Sequence, residues 1–267
     1  MPATQVLTLL TDFGVQDYYV AAVKGTVLRL APGTQLIDIS HDVAPGDIAA
    51  ASFLLAAAAP AFPAETVHLA VVDPGVGSRR RILAAATAAG LVVAPDNGLL
   101  TPLLEGARVH SVERQDLYLA GPGATFHGRD RFGPVAAFLA RGGAIAELGP
   151  EIADAVRLDR PPPRREPHLL AGVVVHIDRY GNLITDIPAA WLPEAPAGAE
   201  TAAPPRLVAR VGSHTASLLA GHYEEIPRYE VAVLVGSLGT LELAMRGEDL
   251  ANRWGVAAGS AVLVRWR

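Results

Sequence analysis

Apolar and polar positions follow two different rhythms along this chain, and the change falls near residue 160. Before it, short β-type runs are separated by stretches with helical spacing. The pattern predicts strand Val6–Leu10, helix Asp17–Leu30, strand Gln35–Ile39, helix Asp47–Ala59 and strand Thr66–Val72. It continues with strands Ile82–Ala86 and Leu91–Ala94, a short helix over Leu99–Leu104, strand Val109–Val112 and helix Arg131–Arg141. Strands separated by helices are βαβ units, so this part is read as a mostly parallel α/β sandwich. Ala31-Pro32-Gly33 stops the first helix and Asp47 caps the second.

The stretch Asp159 to Pro167 holds Pro161-Pro162-Pro163 and nearby arginines, which exclude helix and central strand. Residues 161–168 are therefore read as a linker between an N-terminal domain, 1–160, and a C-terminal domain, 169–267. Beyond the linker helical spacing fades. Short runs at Gly172–Ile177, Leu183–Ile187, Leu207–Val211, Thr215–Leu219, Val231–Val235, Leu241–Ala244 and Ala261–Val264, punctuated by glycine, predict a small β-barrel or sandwich.

Composition narrows the function classes. With 267 residues and 51% hydrophobic content the chain can build a sizeable core. Val6–Leu10 is too short for a signal peptide or a membrane span, which predicts a cytoplasmic protein. The absence of cysteine removes disulfides, thiolate metal sites and cysteine nucleophiles. A net charge of −5 with mixed signs lacks the basic patch that a nucleic-acid partner requires. Lys24 is the single lysine, and its place in a helix reads as surface or helix end, not as Schiff-base chemistry.

The densest chemistry lies at 71–80, Val-Val-Asp-Pro-Gly-Val-Gly-Ser-Arg-Arg, where an apolar run ends in an acid, two glycines and paired guanidiniums. Asp73 should emerge at the carboxyl end of its strand, where open α/β sheets bind ligands. Asp12, in Thr11-Asp12-Phe13-Gly14, and Asp96, in Pro95-Asp96-Asn97-Gly98, follow strands in the same way. Any one of them fits a turn or cap, but three together favour a binding edge, with Asp12 placed to accept ribose hydroxyls. Thr125-Phe126-His127-Gly128-Arg129-Asp130 adds an imidazole that is either a packed structural group or a base or water-binding group working with Asp73 and an arginine. Asp178-Arg179-Tyr180-Gly181-Asn182 and Ser237-Leu238-Gly239-Thr240-Leu241-Glu242 are explained by hairpin turns when taken alone. Phosphate loop, dinucleotide fingerprint, serine elbow and His-Glu-x-x-His motifs are all missing. Three readings remain open on these residues: a nucleoside-directed enzyme, a metal-dependent hydrolase using Asp12, Asp73, Asp96 and His127, and a non-catalytic nucleoside-binding sensor.

As a set in this order, these segments resemble the S-adenosyl-L-methionine hydrolases that form adenosine, or SAM hydroxide adenosyltransferases, relatives of the SAM-dependent fluorinase and chlorinase. The resemblance runs through Thr11–Gly14 with Asp17 and Tyr18, Asp38-Ile39-Ser40-His41, Val72–Gly77, Pro95–Gly98, Thr125–Asp130, Asp178–Asn182, and Ser237 with Gly239 and Glu242. It implies an α/β domain followed by a β-barrel, and a homotrimer whose active sites lie between subunits. The implied reaction is attack of water or hydroxide on ribose C5′ of SAM, giving adenosine and L-methionine without a metal or cofactor. The implied catalytic residues are Asp73, Arg80 and His127. Arg80, not Arg79, keeps the family's spacing of seven from the aspartate. The implied substrate-binding residues are Asp12 for the ribose, Asp17 and Asp178 for the methionine ammonium, Phe126 and Glu242, with Tyr180, Asn182 and the loop at Ser237 contacting the adenine from a neighbouring subunit. Halogenating relatives usually replace the aspartate and histidine, often with tyrosine, and carry an insertion not found here. Hydrolysis is thus expected, not halogenation.

Overall fold

The structure, a computed structural model, describes residues 5–120, 123, 125–193 and 207–266. The chain divides into two compact units, Met1–Asp159 and Arg160–Arg267.

The first unit carries a sheet of β1 (Val6–Thr11), β2 (Gln35–Ser40), β3 (Val67–Val71), β4 (Ile82–Thr87), β5 (Gly90–Pro95), β6 (Arg108–Ser111) and β7 (Glu151–Ile152), in the order β2-β1-β3-β5-β4-β6-β7. Pairings β1–β2, β1–β3 and β3–β5 are parallel, whereas β4 runs against both β5 and β6. Only Ala88 and Ala89 separate β4 from β5, too little chain for a crossover, so a hairpin is forced. The alternation of side chains sorts the core. Leu7, Leu9, Leu69 and Val71 face α1 (Tyr19–Leu30) and α3 (Gly133–Ala140), while Leu10, Ala70 and Val72 pack on the side of α2 (Ile48–Ala58). Each fully buried leucine or valine there contributes about 1.5–3 kcal/mol.

Two elements differ from the sequence reading. The helix expected from Arg131 opens as a π-helical turn, Gly128–Phe132, before α3 begins. The short helix near Leu99–Leu104 is a single 3₁₀ turn, Thr101–Leu103, with Pro102 in it.

The second unit is a sheet of β8 (Arg164–Glu166), β9 (Leu169–Ile177), β10 (Leu183–Pro188), β11 (Leu207–Val211), β12 (His214–Ala216), β13 (Leu218–Leu219), β14 (Val231–Val235), β15 (Thr240–Met245) and β16 (Ala261–Trp266). Its order is β12-β11-β16-β9-β10-β15-β14-β13. The strand expected over Thr215–Leu219 is broken at Ser217 into β12, which pairs with β11, and β13, which pairs with β14. One short segment therefore serves both ends of the sheet and brings it round to a near-closed barrel, which leaves little exposed edge. Part of the expected linker is ordered as strand: Arg164–Glu166 pairs antiparallel with Leu169–Ala171. The proline run stops short of it, as missing N–H donors require. A helix that the sequence reading did not anticipate, α4 (Leu250–Trp254), is capped by the Asp249 side chain and ended by left-handed Gly255.

His68 in β3 is fully buried. Its Nδ1 meets the Thr8 hydroxyl at 2.8 Å and its Nε2 the Ala89 carbonyl at 3.0 Å. Burial pushes its pKa down, against a smaller upward pull from the Ala89 carbonyl. The unfolded chain then binds a proton that the folded chain does not, so stability present above about pH 6.5 is lost as pH falls toward the depressed folded value. The urea midpoint of unfolding should drop between pH 7.5 and 5.5, at up to about 1.4 kcal/mol per pH unit. His68→Asn should make that dependence shallower, and an unchanged slope would contradict the assignment.

Candidate active site

Strands β1 and β3 lie side by side in register, with Thr11 opposite Val71. Their carboxyl ends therefore present Asp12 and Asp73 together, both lining a cavity of about 270 Å³. Phe13, Tyr18, Tyr19 and Phe126 form its aromatic walls. The Phe126 ring stands nearly perpendicular to Tyr19 and to Phe13, with centroids 5.1 and 6.0 Å away. Carboxylates beside aromatic faces suit a cationic, partly apolar ligand. One Asp12 oxygen, Oδ2, accepts from the Gly46 N–H at 2.9 Å. Asp17 is exposed on the approach to α1 and does not line this cavity.

After β3 the chain turns tightly. Val76 N–H bonds the Asp73 carbonyl, Ser78 N–H bonds the Gly75 carbonyl, and Gly77 takes φ +85°. The turn sends Arg80 back over Asp73. Arg80 Nε donates to Asp73 Oδ1 at 2.7 Å and Nη2 donates to Oδ2, a bidentate pair whose side chains are 10% and 5% exposed. The Phe132 ring lies 5.0 Å from the guanidinium carbon and packs it from the side. Arg79 points to solvent, and Arg81 is bound to Asp96 and Asp154. Of the three consecutive arginines, Arg80 is the one that reaches Asp73.

Arg80 Nη2 also lies 2.9 Å from His127 Nδ1. A guanidinium only donates, so Nδ1 must accept and the imidazole proton resides on Nε2. That Nε2–H is buried without a partner among the described residues. Burial lowers the His127 pKa, the charges of Arg131 and Arg80 lower it further, and Asp73 and Asp130 oppose them less strongly. The ring is thus a neutral hydrogen-bond donor at neutral pH. The π-helical turn that follows His127 helps to set its direction, a common use of such bulges.

Asp96 does not join Asp12 and Asp73. Its carboxylate accepts from Arg81 Nε at 2.7 Å and from Val156 N–H at 2.8 Å. The cause is the β4–β5 hairpin, which brings Arg81 beside the end of β5, where Asp96 N–H bonds the Arg81 carbonyl. All three acids do stand at the carboxyl ends of parallel neighbouring strands, but Arg81 takes the Asp96 carboxylate and only Asp12 and Asp73 line the cavity. Among the described residues no group of three or more His, Asp or Glu is placed to hold a metal.

In the second unit the β9–β10 turn is built on Asp178. Its Oδ1 accepts from Tyr180 and Asn182 N–H, and its Oδ2 from Asn182 Nδ2, all at 2.9 Å. Gly181 takes φ +82°, and a Cβ there would meet Asp249 Oδ1 at 2.2 Å. The Tyr180 ring is left 77% exposed at a cavity of about 580 Å³ that Asp178, Asn182, Tyr223 and Arg246 also line. Glu242 is buried and accepts from the Tyr223 hydroxyl at 2.7 Å, and burial raises its pKa. Ser237 is exposed in the β14–β15 turn, where Gly239 N–H bonds the Gly236 carbonyl.

Each unit matches one family model: the SAM hydroxide adenosyltransferase N-terminal domain over residues 7–149 and its C-terminal domain over residues 172–263. The chain belongs to the SAM hydroxide adenosyltransferase family. Among its relatives is the (R)-S-adenosyl-L-methionine hydrolase of Salinispora tropica, 38% identical over 99% of both chains. The protein of the same name from Thermus thermophilus is 36% identical over 95% of this chain and 96% of its own. A fluorinase from an Actinoplanes species is more distant, at 27% identity over 99% of both. The crystal structure of a conserved Thermotoga maritima protein is 31% identical, with a TM-score of 0.87 over 97% of this chain and 99% of that one.

Within a SAM hydroxide adenosyltransferase, Tyr19, Phe13 and Tyr223 are additions to the residues read from sequence. Phe13, Tyr18 and Tyr19 fall within seven positions of a chain that holds only 3 tryptophans, 6 tyrosines and 6 phenylalanines, and that clustering was a usable signal. Tyr223 left none, because its partner Glu242 is 19 residues away.

Proposed function

We propose that the hydrolysis of S-adenosyl-L-methionine to adenosine and L-methionine, this chain's reaction as a family member, runs through Asp73, Arg80 and His127. The observation that carries the proposal is the buried, unpartnered Nε2–H of His127 at the end of the chain Asp73–Arg80–His127. It donates to one lone pair of a water and leaves another to attack C5′. Because Nδ1 faces a guanidinium and Nε2 already carries the proton, His127 orients the nucleophile and does not take its proton. Arg80 favours hydroxide character in that water, and Asp73 holds Arg80 in place. The C5′–O bond forms as C5′–S breaks, the electron pair stays on sulfur, and methionine leaves as a neutral thioether that needs no acid. One proton is released to solvent per turnover.

Asp12, whose Oδ2 is held by the Gly46 N–H, takes the ribose hydroxyls. Phe126 and its aromatic neighbours border the sulfonium. Asp17 and Asp178 hold the ammonium, Glu242 belongs to the substrate-binding set, and Tyr180, Asn182 and the loop at Ser237 of a neighbouring subunit in a homotrimer contact the adenine. The reading includes no metal or further cofactor, no nucleic-acid or membrane partner, and a cytoplasmic location. No described helix is long and apolar enough to cross a membrane.

The test incubates metal-stripped protein with SAM, with and without chloride or fluoride, in weak buffer. Adenosine and methionine should form in equal amounts with one proton each, unaffected by a chelator, from a species with the mass of three chains. A 5′-halo-5′-deoxyadenosine would move the chain to the halogenating branch, chelator sensitivity would revive metal chemistry, and unchanged substrate would leave a sensor.

A further inference from the structure

Behind the Thr11–Gly14 loop lies a line of polar side chains that the mechanism above does not use. The Phe13 N–H donates to Thr11 Oγ1 at 3.3 Å, and Thr11 Oγ1 meets His41 Nδ1 at 2.8 Å. His41 Nε2 lies 3.0 Å from Asp38 Oδ1, off the ideal hydrogen-bond line, and Lys24 Nζ donates to Asp38 Oδ2 at 2.6 Å. Thr11 and His41 are 1% and 6% exposed. The Thr11 hydroxyl accepts from Phe13, so its own proton is available to His41 Nδ1, and every link has a donor and an acceptor. Partial burial pushes the Asp38 carboxyl up, yet its bonds to Lys24 and His41 hold it below the ordinary aspartate value.

This line and Asp12 share their supports. Asp12 is the central residue of the turn that the Phe13–Thr11 bond closes. The His41 carbonyl accepts from Gly14 N–H at 2.8 Å at the end of that turn. The same 41–46 loop supplies the Gly46 N–H that grips Asp12 Oδ2. At its start the β1–β2 register slips, Leu9 facing Asp38 but Leu10 facing Ser40, an irregularity of the kind that re-aims side chains near sites.

We propose that Thr11, His41 and Asp38, neutralised by Lys24, are positioning residues that fix the Asp12 carboxylate toward the ribose hydroxyls and so set discrimination for a ribonucleoside substrate. The proposal rests on the hydrolase reading and adds to it a role for the Asp38–His41 segment.

The experiment compares kcat/KM for SAM and for its 2′-deoxyribose analogue in the full-length protein, Asp12→Ala, Thr11→Val, Thr11→Ser and Asp38→Asn, with the melting temperature of each. Thr11→Val should lower the SAM-to-analogue ratio by about tenfold, toward the Asp12→Ala value, as expected for one lost buried hydrogen bond. Thr11→Ser, which keeps the hydroxyl, should retain the ratio. Asp38→Asn, on the edge strand, should lower it by a smaller factor and serves where Thr11→Val fails to fold. A structural role alone would depress both substrates equally and lower the melting temperature, and an unchanged ratio in Thr11→Val and Asp38→Asn overturns the proposal. If the unsubstituted protein leaves SAM intact, the hydrolase reading fails instead.

Discussion

Replacing His127 with alanine should lower kcat on SAM by about two orders of magnitude or more, the usual loss when a positioned catalytic group is removed. The KM should change little, because the hydrogen bond that alanine removes goes to the nucleophile and not to the substrate. Asp73→Ala should lose as much, since Arg80 would no longer be held against His127 Nδ1. The pH profile is a second check. Burial and two arginines lower the His127 pKa, so the active neutral ring persists as pH falls and the acid limb should lie below about pH 6.5. Near-normal kcat in both alanine variants would sink the triad.

Arg80→Met should destabilise the fold by about 3–5 kcal/mol, because it leaves the nearly buried Asp73 carboxylate without its counter-ion. For a unit of this size that corresponds to a melting temperature lower by about 10 °C. The double variant Arg80→Met with Asp73→Leu should recover most of the stability and none of the activity. A loss below about 1 kcal/mol in Arg80→Met would show that the pair is more solvated than its 5% and 10% side-chain exposures imply.

Much of the first unit was legible because its information is local. Apolar alternation at Leu7–Leu10 and Leu69–Val72 assigns residues to the two faces of the sheet, and the glycines at 75 and 77 mark the turn after Asp73. The β4–β5 reversal was implicit in the four residues that separate the strands read at Ile82–Ala86 and Leu91–Ala94. The fate of Asp96 was not legible, because Arg81 reaches it from a neighbouring strand 15 residues earlier. The barrel edges were equally hidden. Nothing in Thr215–Leu219 announces that its two halves pair with different strands.

The sequence by itself determined the two kinds of domain, the strand ends that carry Asp12 and Asp73, and the residue types from which a water-activating site is made. These follow from side-chain period, turn chemistry and composition, which act over a few residues. Only the tertiary structure decided that Arg81 takes the Asp96 carboxylate, which nitrogen of His127 carries the proton, and that His41 stands behind Asp12. The last two outcomes depend on hydrogen bonds between residues 47 and 30 positions apart and on burial that strips water from them. Charge and hydrogen-bond direction in a dry interior are properties of the folded arrangement, because each group's protonation answers to neighbours that the chain order does not name.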